Sequence, residues 1–206
     1  MNLRFLRIAA YYPVYLRQFY ANRPALPEAT YAAQHAAIVD DAFDQANYLS
    51  AALDNLGYQA GNLIVNAEPA QKRWAKENGV AYSDDNWMLD IVFAQVHQFQ
   101  PDALLIVPWD NKFGAAFVER CRELSPSIKL VIGQCGEAHP EASFYRAHDL
   151  VITCAPEVVA YLQSGGVKAH QVAHSFDPQI VARLNESTPK GVPPTVDVGF
   201  IGQFIF

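Results

Sequence analysis

The chain has 206 residues, of which 51% are hydrophobic and 17% charged, and its formal net charge is −6. This composition is typical of a globular protein with an apolar core, and the length suffices for one domain or for one domain plus part of a second. The acidic balance, without any run of Lys and Arg, argues against a nucleic-acid surface. No stretch reaches the roughly 18 apolar residues of a membrane span. We therefore expect no spanning helix, while peripheral contact with a membrane stays open.

The cysteines and the amino terminus indicate a cytoplasmic protein. Cys121, Cys135 and Cys154 have no CxxC spacing and lie in apolar contexts, so we interpret them as reduced thiols. The same pattern leads us to predict no metal site. Charged residues, among them Arg4 and Arg7, interrupt the amino-terminal apolar stretch, and no cleavage site follows it. A signal peptide is therefore not predicted.

In the first half of the chain, short apolar strands alternate with helical patterns. They predict a strand over 4–12, a helix from Thr30 to Leu56, a strand over 58–66, helices over 69–79 and 85–99, and a strand over 103–108. In the long helix, apolar residues recur every three, four or seven positions. Gly57 follows it, where a helix commonly ends.

The second half continues the alternation. It predicts a helix over 113–124, strands over 129–135 and 149–154, a helix over 156–163, a strand over 167–174 and one or two helical turns over 177–184. The central strands are continuously apolar, as in parallel sheets covered on both faces. The predicted fold is therefore α/β, a Rossmann-like doubly wound parallel sheet.

A change in composition marks the end of this domain. The segment NESTPKGVPPT, residues 185–195, combines three prolines, a glycine and polar residues, as linkers do. We predict a domain over 1–184, a linker over 185–195, and at 196–206 the first strand of a second domain.

The candidate site residues follow the apolar runs, because ligands of open parallel sheets bind outside the carboxyl ends of the strands. They are Tyr11 and Tyr12 after the first strand, Asn66 and Glu68 after the second, Trp109, Asp110 and Asn111 after the third, Gln134, Glu137 and His139 after the fourth, and His174, Ser175 and Asp177 after the last. Polar groups and aromatic faces in one crevice suit a hydroxyl-rich ligand such as a sugar.

Several of these residues also have a structural interpretation. His139 with Glu137 nearby could act as a general base, but a solvated loop histidine explains the pattern equally well. For His174, at the end of an apolar strand, the structural role is favoured. Trp109 is either a stacking platform for a sugar or an edge of the core.

Motifs of several enzyme classes are absent from the sequence. AAYYP stands where a dinucleotide-binding fold would carry GxGxxG, and there is no GxxxxGK[ST], GxSxG or HExxH. We therefore predict no cofactor bound by this chain, and the residues alone identify no self-contained enzyme.

Four segments taken in order resemble a known family. They are GYQAGNLIVNAEPAQKRWAKENG, PDALLIVPWD, the stretch from KLVIGQCGEAHP through AHDLVITCAPE to HSFDPQIVARL, and DVGFIGQ. Together they resemble the CgeB-like (spore-maturation-type) glycosyltransferases, a branch of the GT-B enzymes, over most of residues 30–203. Two features depart from the pattern: its tyrosine is replaced in AHDLVIT, and Tyr11 and Tyr12 replace a glycine-rich loop.

The resemblance implies that the chain is the N-terminal, acceptor-binding half of a hexosyltransferase-type enzyme. DVGFIGQ would open the donor domain, with Gly202 and Gln203 in its phosphate-side loop, and the nucleotide-sugar donor would bind in the C-terminal domain. His139, or Glu137 as the alternative, would be the catalytic base.

On the same resemblance, Tyr11, Trp109, Asp110 and Asn111 would hold a hydroxyl acceptor, which is a small molecule or a glycan. We expect this chain alone to be inactive, because half of the transition-state contacts would be missing. A stand-alone Rossmann-like binding or interaction module is the alternative, and a GT-B sugar epimerase is a weaker one. The sequence leaves the oligomeric state and the choice between an inverting and a retaining mechanism open.

Overall fold

A computed structural model describes residues 3–43, 46–107, 111–136, 141–174 and 178–187. Within them, six parallel strands form a single sheet: β1 (Arg4–Ala9), β2 (Gln59–Ile64), β3 (Ala103–Val107), β4 (Leu130–Gln134), β5 (Leu150–Thr153) and β6 (Ala169–Gln171). The α-helices are α1 (Pro13–Ala21), α2 (Tyr31–Asp40), α3 (Ala46–Asn55), α4 (Glu68–Asn78), α5 (Trp87–Phe99), α6 (Ala115–Leu124), α7 (Pro156–Ser164) and α8 (Pro178–Ser187). The predicted Rossmann-like, doubly wound α/β fold is confirmed.

The strand order is β2-β1-β3-β4-β5-β6. The chain steps from β1 outward to β2, then crosses back to β3 and continues in the opposite direction. The point of reversal lies between β1 and β3, and open α/β sheets bind ligands outside the carboxyl ends of the strands near such a point. The ends of the strands are therefore the place to look for a site.

Side chains alternate between the two faces of the sheet, so each strand contributes to two cores. On one face, alternate strand residues such as Leu6, Ile8 and Ile106 pack against Val96 of α5 and Val118 of α6. On the other face, Ile64 packs with residues of α1 and α2. Helices thus flank the sheet on both sides.

The outer edge of β2 is closed by side chains. The Gln59 amide donates to the Leu3 carbonyl, just before β1, and the Val65 amide donates to the Ala9 carbonyl at the end of β1. Between these two positions, the backbone groups of successive residues point alternately toward β1 and away from it. On the outside, the Ala60 amide donates to Asp54 Oδ1 at 3.2 Å, the Asn62 carbonyl is 2.8 Å from His35 Nε2, and the Ile64 carbonyl accepts from Gln71 Nε2 at 3.0 Å. These side chains occupy backbone groups that another strand would use.

The predicted helix from Thr30 to Leu56 is two helices, so that prediction was wrong. α2 ends at Asp40, and Ala42 adopts a left-handed φ of 54°. Two interactions with α1 hold the chain at this break: Asp41 accepts from the Tyr15 hydroxyl at 2.8 Å, and Phe43 stacks on the Tyr15 ring at 3.7 Å. Contacts with a remote segment therefore accompany a break in the helix at a place where the apolar periodicity of the sequence continues.

Helix α1 was not predicted from the sequence. It begins at Pro13, a position where the missing amide proton costs nothing, and it buries Leu16 and Phe19. The predicted strand over 4–12 is correspondingly shorter, because β1 ends at Ala9.

Residues up to 175 form one compact unit, and α8 belongs to a second one. The predicted linker lies largely, and the predicted strand at 196–206 entirely, outside the described residues, so those boundaries stay predictions. Among the residues that the structure covers, no helix is long and apolar enough to cross a membrane.

Candidate functional site

A cavity of about 200 Å³ opens at the carboxyl ends of β4, β5 and β6. It is lined by the end of β4 with the residues after it, the end of β5 with the residue after it, and the segment after β6, together with one residue each of β3 and α3. The lining residues are Leu49, Leu105, Gln134, Cys135, Gly136, Ile152, Thr153, Cys154, Val172, Ala173 and His174. We call it the carboxyl-edge cavity.

Backbone pairing beyond the strands fixes the walls of this cavity. The Cys135 amide donates to the Ile152 carbonyl at 3.0 Å, and the Val172 amide donates to the Thr153 carbonyl at 2.8 Å. The Gln171 side chain donates to the Cys154 carbonyl at 3.1 Å. The sheet hydrogen bonding therefore extends past each strand end and holds the lining residues at set positions.

The described residues of the cavity wall combine apolar and polar surface. Leu49, Leu105 and Ile152 supply apolar contacts, whereas Gln134 and His174 supply an amide and an imidazole. None of the described lining residues is Asp, Glu, Lys or Arg. The amide and imidazole groups of this wall can exchange hydrogen bonds with a neutral polar ligand.

The thiols at the cavity have different surroundings. Burial raises the pKa of Cys135, an effect that a hydrogen bond from Tyr145 partly offsets and that Cys154 reinforces. Cys135 is therefore a neutral thiol at pH 7 and a poor nucleophile. Cys154 is half-buried and lies at the same cavity.

Two of the predicted site residues, Gln134 and His174, meet at this cavity. Gln134 ends β4, and His174 is an exposed residue three positions after the end of β6. The strand-end rule brought these two together although 40 positions separate them in the chain.

Tyr11 and Tyr12 lie elsewhere, in an aromatic cluster at the end of β1. Tyr11 is only 2% exposed, and its backbone amide and carbonyl both bond the Asn66 side chain, at 2.9 and 2.6 Å. Tyr12 is 65% exposed and approaches the Phe43 ring edge-on. Asn66 thus ties the ends of β1 and β2 together, and Tyr11 packs in the core.

Asn111 lines a different cavity, of about 320 Å³, near the start of α6. Lys112, Glu141 and Arg146 also line it, so its surface is more charged than that of the carboxyl-edge cavity. The predicted site residues that the structure describes therefore lie at three separate places along the carboxyl edge of the sheet.

The remaining predicted site residues fall outside the described part of the chain. These are Trp109, Asp110, Glu137, His139, Gly202 and Gln203, together with Ser175 and Asp177. Their roles stay predictions.

Sequence reasoning missed the contribution of Leu49 and Thr153. Leu49 lies on α3, far from any strand end in sequence, and nothing in its local pattern places it at the site. Thr153 is buried, and its hydroxyl accepts from the Ala155 amide at 3.2 Å just before α7 begins. Within the described ranges, no group of three or more His, Cys, Asp and Glu residues could hold a metal ion.

Comparison of the chain with protein-family models, with curated proteins and with solved structures finds no match.

Proposed function

We propose that this chain is the acceptor-binding domain of a GT-B glycosyltransferase and that the carboxyl-edge cavity holds one sugar unit of the acceptor. The observation that carries the proposal is a convergence of segments. KLVIGQC, DLVITC and VAH, which are parts of the family resemblance, all end at this one cavity. One ligand in this cavity would contact all three segments.

The character of the cavity supports a neutral ligand. The described residues that line it include no Asp, Glu, Lys or Arg. Its volume of about 200 Å³ is below the range of roughly 300–1,000 Å³ that drug-sized ligands occupy. A single monosaccharide unit meets both conditions.

The lining residues have separate roles in this proposal. The Gln134 amide and the His174 imidazole bond sugar hydroxyls, and Ile152 contacts the apolar face of the ring. In an inverting transfer, the acceptor oxygen forms a bond to the anomeric carbon while the bond from that carbon to the diphosphate oxygen breaks. His139 or Glu137 takes the hydroxyl proton, and the leaving nucleoside diphosphate keeps the electron pair.

Saturation-transfer NMR tests sugar binding directly. The purified chain is mixed with methyl glycosides of glucose, galactose and mannose, and the binding of each is measured. We expect at least one to bind saturably and the His174→Ala variant to bind it about fivefold more weakly, as the loss of one hydrogen bond of about 1 kcal/mol implies.

His170→Ala is the matched control, since His170 is exposed on β6 but does not line the cavity. It should bind like the parent chain. Sugars that fail to bind at millimolar concentration, or that bind both variants equally, would refute the acceptor site. Binding without transfer from any nucleotide sugar, even when the chain is part of a protein with a second domain, would favour the binding-module alternative.

A further inference from the structure

A second cavity, of about 420 Å³, lies beside the edge strand β2. Residues from β1, β2, α2, α4 and α5 line it, among them Arg4, Tyr31, Asn62, Trp74, Gln95 and Phe99. It shares no lining residue with the carboxyl-edge cavity. We call it the β2 cavity, and the inference drawn from it does not depend on the function proposed above.

Two buried amides at the β2 cavity have unused hydrogen-bonding atoms. Gln95 is 4% exposed, and neither its Oε1 nor its Nε2 has a hydrogen-bond partner among the described residues. Asn62 is 7% exposed; its Oδ1 accepts from Arg7 Nη1 at 3.1 Å, but its Nδ2 has no partner in that part of the chain. Buried amides without partners are rare in native proteins, so these atoms imply a ligand or ordered water.

The nearby polar side chains do not satisfy these amides. Burial raises the pKa of Tyr31 to about 12, and the neighbouring Gln95 amide partly offsets that rise; the contact between the Tyr31 hydroxyl and this amide nevertheless falls short of hydrogen-bond geometry. His35 Nε2 is engaged with the Asn62 carbonyl at 2.8 Å. Burial lowers the pKa of His35, so the imidazole is neutral at pH 7 and donates this one bond.

The unused atoms are mainly donors. Gln95 Nε2, Asn62 Nδ2 and the buried Nε of Arg4 are donors, whereas Gln95 Oε1 is the one acceptor that this set contributes. The Arg4 guanidinium also lies 4.6 Å above the Phe99 ring. No Asp or Glu is among the described lining residues. A complementary ligand therefore offers several acceptors and a single donor.

The walls indicate the shape of that ligand. Tyr31, Trp74 and Phe99 present aromatic rings to the cavity, and aromatic side chains favour a flat ring packed against them. The primary amide of a glutamine pairs edge-on with adjacent donor and acceptor atoms of a heterocycle, as it does with a nucleobase.

We propose that the β2 cavity binds a small uncharged cyclic imide, the ring type of uracil. The imide N–H donates to Gln95 Oε1, one carbonyl accepts from the Gln95 amide, and the other accepts from Arg4 Nε on the α5 face of the sheet. The ring packs among Tyr31, Trp74 and Phe99. This assignment gives Gln95 and Arg4 partners, whereas Asn62 Nδ2, whose side chain lies with Arg7 on the other face of the sheet, is left to ordered water.

Calorimetric titration of the full 206-residue chain with free uracil tests the proposal. We expect saturable binding and a higher Tm in its presence. 1,3-Dimethyluracil keeps the flat ring and both carbonyls but lacks the N–H, so it should bind at least tenfold more weakly. This comparison needs no protein variant.

A substitution provides an independent readout. Gln95→Met removes both amide atoms at nearly constant volume, so uracil affinity should fall at least tenfold. The ligand-free variant should melt about 2–6 °C higher, because a buried unpaired amide is gone. Gln18→Met is the matched control on an exposed position of α1, and it should change neither property.

The opposite results are equally specific. No binding of uracil to the folded chain at millimolar concentration overturns the proposal. So does uracil binding that is unchanged by Gln95→Met. A lower Tm of the ligand-free Gln95→Met variant, together with no uracil effect, identifies the cavity as a site of ordered water only.

Discussion

The buried imidazole of His148 makes the stability of this protein depend on pH. The side chain is 9% exposed and packs against Gly133, with the rings of Phe144 and Tyr145 beside it. Burial lowers its pKa to about 4, although the Tyr145 carbonyl and Asp149 oppose that shift. Neither ring nitrogen makes a hydrogen bond of normal geometry with a described residue.

The direction of the effect follows from the two states. In the unfolded chain His148 has its ordinary pKa of about 6.5, so between pH 6.5 and 4 the unfolded state binds a proton that the folded state excludes. The free energy of unfolding therefore falls as the pH falls through this window. The full effect is about 3 kcal/mol, of which about 2 kcal/mol is lost between pH 7 and pH 5.

Urea unfolding at pH 7, 6 and 5 measures this loss. The parent chain should lose about 2 kcal/mol more between pH 7 and pH 5 than the His148→Phe variant, whose phenyl ring does not titrate. The lowered pKa of His35 acts in the same direction in both proteins, so it cancels in the comparison. His170→Phe, at an exposed position, should keep the loss of the parent.

Equal losses in the parent and in His148→Phe would refute the reasoning. They would mean that the imidazole reaches water in the folded state or gains a partner for its charged form. If the circular dichroism of His148→Phe at pH 7 differs from that of the parent chain, the variant has a folding defect. His148→Leu would then serve as the second variant.

Two further predictions concern packing and thiol reactivity. Gly114→Ala should destabilise the protein by about 1–3 kcal/mol in urea, because the added Cβ would lie 2.7 Å from the Phe144 ring; Gly136→Ala meets no atom within 4 Å and should be nearly neutral, and equal effects would contradict this packing. Iodoacetamide at pH 8 should label Cys154 first, whereas Cys121, which is 0% exposed and has its pKa raised by burial to about 12, should react only on unfolding. Labelling of Cys121 in the native protein, detected by peptide mass, would contradict its burial.

The strands and most helices could be predicted because their signals are local. ALLIVP and KLVIGQC are apolar runs that predict strands from composition alone; the middle of β3 is buried as expected, although Leu130 of β4 is 38% exposed. Helix α4 has a proline in its first turn and is followed by Gly79, which adopts the left-handed conformation that a glycine tolerates. Such features require no knowledge of distant residues.

The break between α2 and α3 could not be predicted in this way. It depends on Tyr15, which bonds Asp41 and stacks on Phe43 from another helix. The apolar spacing continues across the break, so periodicity alone favours one helix. Tertiary contacts decide the outcome here.

The site shows the same division. The strand-end rule identified Gln134 and His174, which share a cavity. It also selected Tyr11, which is buried in the core and whose backbone, not its ring, bonds the Asn66 side chain. Gln95 has the position of a polar residue on an amphipathic helix, and only the packing around α5 reveals that its amide is buried.

Both outer edges of the described sheet are capped, and this limits how the protein could associate by pairing of strands. Asp54, His35 and Gln71 already occupy backbone groups of β2 that face away from β1, so a strand from another molecule would have to displace them before it could pair there. At the opposite edge, β6 is only three residues long, and its Ala169 carbonyl, which faces away from β5, accepts from Gln163 Nε2 at 3.0 Å. Addition of a strand at either edge, whether in a specific dimer or in an aggregate, would therefore have to break an existing hydrogen bond.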